Sequence, residues 1–315
     1  MQIKNVVLIL FFSLSLTGLF AQQDKLITNF MYDKMSINPG KTGIDMDNSI
    51  CATSIYRNQW DKVNGAPNSA VLNIEGNFSR LFKGGLGLAF YHDAIGFSRQ
   101  NNLLLNYSYP IQIGNVGVLG LGLGIGIINY GIEPTWVPPT STTDPSLPTG
   151  FAATNLDANF GAYFQGKDFY AGLSSTHLSE SLLEKSVAGA DQNYQTARHY
   201  YLMGGKTFDD VLNGKIDAQV LMRTDLVKLS FDLNARYFYS LNDHDLYGGI
   251  SYRNSDAIAV LFGYSPIDRF TVGYSYDITI NKLSSVSRGS HEILFKYCFN
   301  LPEPKMTYSR NPRWL

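Results

Sequence analysis

From Phe270 to Ile280 the chain alternates without a break, with Phe270, Val272, Tyr274, Tyr276, Ile278 and Ile280 on one side and Thr271, Gly273, Ser275, Asp277 and Thr279 on the other. A period of two puts successive side chains on opposite faces of a β-strand, and no helix has that period. The pattern recurs at Leu229–Tyr239, Leu72–Ser79, Asn102–Tyr109, Asn155–Phe164 and Lys215–Arg223. Fourteen runs of this kind predict strands near 49–60, 69–79, 85–93, 100–109, 116–130, 154–166, 169–178, 198–208, 214–224, 229–239, 246–254, 257–265, 270–280 and 290–299.

Strands with one apolar and one polar face suit a barrel in lipid, whose outer wall meets hydrocarbon and whose lumen is polar. Averaging the two faces explains a mean hydropathy of only -0.09. Charged residues make up 16% of the chain, against about 25% in soluble domains, while Tyr, Phe and Gly are abundant. The fold class predicted is therefore all-β: a transmembrane antiparallel β-barrel over 49–299. An even strand number puts both chain ends on the periplasmic side. The connections agree, because those after even strands are short and the two longest, Gly131–Ala153 and Ser179–Ala197, follow odd strands and fall outside.

At the start, Lys4 and the apolar run Val6–Leu16 predict a signal peptide over 1–21, cut after Leu19-Phe20-Ala21 and ahead of Gln22. Residues 22–48 are expected as a periplasmic N-terminal segment with an Asn38-Pro39-Gly40 turn. Residues 300–315, with Pro302, Pro304 and Pro312, are expected as a periplasmic tail, because proline cannot donate to the ladder. Together the two ends are expected to form a surface for other proteins, with Arg313 and Trp314 as anchors.

Inside the barrel, parity sends Arg57, Glu75, Asp157, Lys215, Asp217, Arg223, Asp232, Arg236, Asp277, Glu292 and Lys296 inward. Mixed charge suggests ion-paired packing or weak selectivity more than a strongly selective pore. Glycine at every second position from Gly120 to Gly126 strips side chains from one face of strand five. That leaves room for a bulky neighbour or a plug, or it simply tolerates curvature. Parity also puts Cys51 and Cys298 in the lumen, on the first and last strands near the periplasmic rim. Either they pair as a disulfide or they stand as two free thiols on neighbouring strands.

A net charge of -1 with no basic block argues against nucleic acid. The five histidines are scattered and no metal or nucleotide motif occurs, so no enzyme activity, metal or cofactor is expected.

Three stretches resemble the PorP/SprF family of type IX secretion and gliding proteins. Phe30-Met31-Tyr32 followed by Ile37-Asn38-Pro39-Gly40-Lys41-Thr42-Gly43 resembles its N-terminal segment. Tyr56-Arg57-Asn58-Gln59-Trp60, with Gly65-Ala66-Pro67 after it, resembles its first hairpin. Asn311-Pro312-Arg313-Trp314-Leu315 resembles its ending. Gly40-Lys41-Thr42 and Trp314 depart from the usual pattern. The resemblance implies an accessory barrel that helps to secrete or anchor cell-surface cargo bearing a C-terminal sorting domain and that touches periplasmic components of the machinery. Asn38, Pro39, Arg57, Asn58, Gln59, Trp60, Gly65, Ala66, Pro67, Arg313 and Trp314 are the residues it marks for partner contact. The rival from the residues alone is a diffusion porin or small-solute channel.

Overall fold

The computed structural model describes residues 25–301 except 47, 80, 134–149, 181, 188–189 and 243. The expected signal peptide and the tail with Arg313 and Trp314 lie outside the described residues. In chain order the strands are β1 (Ser49–Asn58), β2 (Asn68–Asn77), β3 (Gly85–Ile95), β4 (Ser98–Ile113), β5 (Gly117–Ile132), β6 (Phe151–Gly166), β7 (Phe169–Thr176), β8 (Leu182–Val187) and β9 (Ala190–Gln195). They continue as β10 (His199–Val211), β11 (Gly214–Thr224), β12 (Leu229–Leu241), β13 (His244–Arg253), β14 (Ala257–Ile267), β15 (Phe270–Thr279) and β16 (Ser290–Asn300). Fourteen of them close an antiparallel barrel in which β1 pairs with both β2 and β16.

The alternation has its physical counterpart in the wall. On β4, Asn102, Leu104, Asn106 and Ser108 are buried inward while Leu103, Leu105, Tyr107 and Tyr109 are exposed outward. On β14, Ala257, Ala259 and Leu261 face in while Ile258, Val260, Phe262 and Tyr264 face out. The outward rows form the lipid-facing surface such a barrel requires.

Three details differ from the alternation. β8 and β9 form a separate hairpin within the stretch expected as the loop Ser179–Ala197. β4 runs on through Pro110 to Ile113, because its pairing with β3 ends at Gly85 opposite Ser108 and proline is tolerated where only one neighbour remains. β1 stops at Asn58, since Trp60 takes a left-handed backbone with φ 51°.

The main correction concerns the N-terminal segment. Its described part, Lys25–Met46, is not a periplasmic appendage but fills the lumen. It folds as three short helical turns, Phe30–Tyr32, Lys34–Ile37 and Pro39–Lys41. Phe30, Met31 and Ile37 form an apolar cluster with Tyr163, Tyr201, Leu221 and Leu261 of the wall. Ile27 packs on Ile55, Val71 and Leu294. The alternate glycines make room for this: a Cβ at Gly122 would overlap the backbone of Pro39 and Gly40, and one at Gly120 would overlap the Gly40 carbonyl.

Cys51 stands opposite Cys298 in the β1–β16 register, and the two form a disulfide with Cα atoms 4.0 Å apart. The seam where the first strand meets the last is thus covalent as well as hydrogen-bonded. A thiol probe should find no reactive cysteine in the nonreduced, denatured protein and two after reduction. Unheated samples should also migrate differently from boiled ones on SDS gels, because a closed ladder has no free edge for detergent to open. Two reactive thiols before reduction would show an unlinked seam.

Candidate functional site

The strongest interactions between plug and wall lie in the outer half of the lumen. Arg57 on β1 faces Glu292 across the β1–β16 register, with Asp277 one strand further on. Its guanidinium makes ion pairs of 2.7 Å with Asp277 and 3.2 Å with Glu292. Arg253 bridges Asp232 at 2.7 Å and Asp277 at 3.5 Å, and Arg223 also pairs with Asp232. Three arginines therefore face three carboxylates on the wall strands, and Asp256 after β13 adds a 3.2 Å pair to Arg253. This matters because an unpaired buried charge is far more costly than a matched pair.

Into this cluster the plug inserts Thr28 and Asn29. The Thr28 hydroxyl donates to Asp277 at 2.8 Å and accepts from Arg57 at 2.9 Å and Arg253 at 3.2 Å. Both lone pairs and the single proton are used. The backbone N–H groups of Thr28 and Asn29 donate to the two oxygens of Glu292 at 2.9 and 2.7 Å. Hydrogen bonds to ionised groups are worth about 1.5–3 kcal/mol each, so this cluster is the main anchor of the plug.

Below it the plug descends in contact with successive levels of the wall. Asp33 takes an ion pair from Lys25 at 2.7 Å and a bond from Asn73 at 2.7 Å. Asn38 donates to the carbonyls of Ala162 and Leu173 at 3.0 and 3.3 Å. Ser108 donates to Gly40 at 2.7 Å. At the periplasmic end Lys41 pairs with Glu75 at 2.5 Å, and Asn77 donates to the carbonyl of Met46 at 2.9 Å.

The outer end opens into a vestibule of about 410 Å³, bounded by Leu26 of the plug and by Trp60, Arg223, Asp225, Arg253 and Leu283. A second cleft of about 420 Å³ lies across the loop from Trp60 to Ala66. That loop is tightly bonded: Gln59 N donates to Pro67 O at 2.9 Å and Ala66 N to Val63 O at 3.2 Å. Asp61 N donates to Gly289 O at 2.7 Å, tying it to the loop before β16. Gly65 has φ +75°, which side-chain-bearing residues rarely adopt. At the rim, burial alone would raise the Asp225 carboxyl, but backbone donors from Lys228 and Val227 outweigh it and hold it below the usual range.

The residues marked by the sequence therefore divide. Asn38 and Arg57 are 0% and 1% exposed, and with the buried Pro39 they hold plug and wall together inside the lumen. Gln59 is also buried. Asn58, Trp60, Gly65 and Ala66 line the outer clefts, with Pro67 closing the loop. Thr28 and Asn29 carried no sequence signal at all. Arg253 had one, since parity along β13 places it inward with Ser251. His177 and His199, far apart in sequence, come within 6.2 Å ring to ring at the outer end, where His177 bonds Asp157 at 2.8 Å.

A closed fourteen-strand wall with an apolar exterior defines an outer-membrane β-barrel. Solved structures agree on the fold. The chain is similar to the Ralstonia pickettii toluene transporter TbuX, with TM-score 0.54 and 11% identity over 86% of this chain and 94% of that one. It is also similar to the Pseudomonas putida toluene transporter TodX, with TM-score 0.53 and 11% identity over 88% and 95%. The CymD monoaromatic hydrocarbon channel gives TM-score 0.51 and 11% identity over 86% and 93%. At such identity the likeness is one of fold. No curated protein sequence matches the chain. The profile described as "Type IX secretion system membrane protein PorP/SprF" matches residues 19–297, and the chain belongs to that family. It is an outer-membrane protein associated with the type IX secretion machinery.

Replacing Arg57 with alanine strands Glu292 beside the plug and leaves Asp277 only its 3.5 Å pairing with Arg253. The expected cost is about 3–5 kcal/mol, read as a lower temperature for the heat-induced gel shift. Arg57→Ala with an unchanged transition would show that the cluster does not hold the plug.

Proposed function

We propose that this barrel is a noncatalytic docking component of the type IX secretion and gliding machinery, which receives a secreted cell-surface protein at its outer mouth and helps to secrete or anchor it there. The observation that carries this reading is the filled lumen. With residues 25–46 packed inside, the wall serves better as a scaffold for its outer loops than as a diffusion path. The hairpin motif shared with the family supports the same reading, because Trp60 and the Gly65-Ala66-Pro67 turn shape the outer clefts. Tryptophan at a cleft wall is the residue type that most often dominates protein interfaces. The expected partners are a secreted protein with a C-terminal sorting domain outside and machinery components at the periplasmic face, where Arg313 and Trp314 of the tail are proposed contacts.

A channel for small solutes is the second reading, favoured by the names of the structural neighbours, which are hydrocarbon channels and toluene transporters. Two measurements separate them. In planar bilayers the full chain should give no large steps, while a variant lacking Lys25–Met46 should conduct. Large, salt-proportional steps from the full chain would favour the channel. In affinity recovery from the native outer membrane, Trp60→Ala should lower capture of the secreted partner by roughly 30-fold, equivalent to about 2 kcal/mol, with heat-modifiability unchanged. Undiminished capture would remove Trp60 from the docking surface.

A further inference from the structure

The contacts of the plug are ordered by depth. Leu26 lies in the vestibule with Trp60, Asp225 and Leu283, all on connections that follow outward-running strands. Thr28 and Asn29 come next, bonded to Asp277 and Glu292. Asn38 follows, at Ala162 and Leu173. Gly43 then donates to Glu75 at 3.0 Å, near the end of β2. Met46 bonds Asn77, the last residue of β2. Asn48 donates to Leu301 at 2.9 Å, where β16 has ended. The segment thus runs through the barrel from the outer mouth at Leu26 to the periplasmic rim at Asn48, with the Lys25 side chain turned inward to Asp33.

We infer that the N-terminal segment spans the outer membrane inside its own barrel, with Leu26 at the outer mouth and Asn48 at the periplasmic rim, so that Leu26 belongs to the surface offered to the cell exterior. The direction rests on the long connections lying outside, and it reverses the periplasmic placement expected from the strand number alone. It holds whether or not the vestibule docks a secreted protein. An extracellular partner entering the vestibule meets Leu26 beside Trp60, so plug and wall both contribute to that surface.

Single-cysteine labelling tests this, because the native Cys51 and Cys298 are joined and silent. Leu26→Cys and Asp45→Cys, each scored only in the heat-modifiable barrel band, are exposed on intact cells to a membrane-impermeant maleimide. Leu26→Cys should label at least tenfold more strongly than Asp45→Cys, which should label only after the outer membrane is permeabilised. Selective labelling of Asp45→Cys, equal labelling of both, or silence of Leu26→Cys until permeabilisation would each overturn the inference.

Discussion

The ion-paired cluster of Arg57, Arg223 and Arg253 with Asp232, Asp277 and Glu292 is the interaction on which the interior depends. Charges this deep need both electrostatic balance and saturated hydrogen bonding. The wall supplies the balance, and the plug supplies the remaining donors through Thr28, Asn29 and their backbone N–H groups. Each side completes the other: without the plug Glu292 loses its backbone donors, and without the wall Thr28 and Asn29 lose the carboxylates they bond.

That division gives the lumen an uncommon character. A porin leaves such groups to water. Here apolar residues of the plug, Phe30, Ile37 and Ile27, reach wall residues such as Tyr163, Leu221 and Ile55 that face inward. The interior therefore packs partly as a protein core, held near both ends by charge and through its length by apolar contact. The disulfide at the periplasmic rim joins the same two strands that carry Arg57 and Glu292. Seam and anchor reinforce one another along β1 and β16.

The hairpin motif shows how one short run can serve two ends. Arg57 points inward to the plug, and three residues later Trp60 turns outward into the clefts with a left-handed backbone. A single motif thereby links the stability of the filled barrel to the shape of its outer mouth. The same strand that anchors the plug positions the aromatic side chain offered to a partner.

Alternation alone determined the barrel. Its period decided strand existence, its phase decided that Arg57, Asp277 and Glu292 face inward, and the lengths of the connections decided which end faces out. The place of the N-terminal segment was decided only in three dimensions. Lys25–Met46 has short turns and no sustained period, so nothing local distinguishes a chain outside the barrel from one within it. The groups that capture Thr28 lie 249 and 264 residues away, on β15 and β16, and β16 becomes a neighbour of β1 only when the barrel closes. The alternating glycines of β5 recorded that something would lie against them. What lay there depended on closure, because only the closed wall brings carboxylates from the far end of the chain against donors from its beginning.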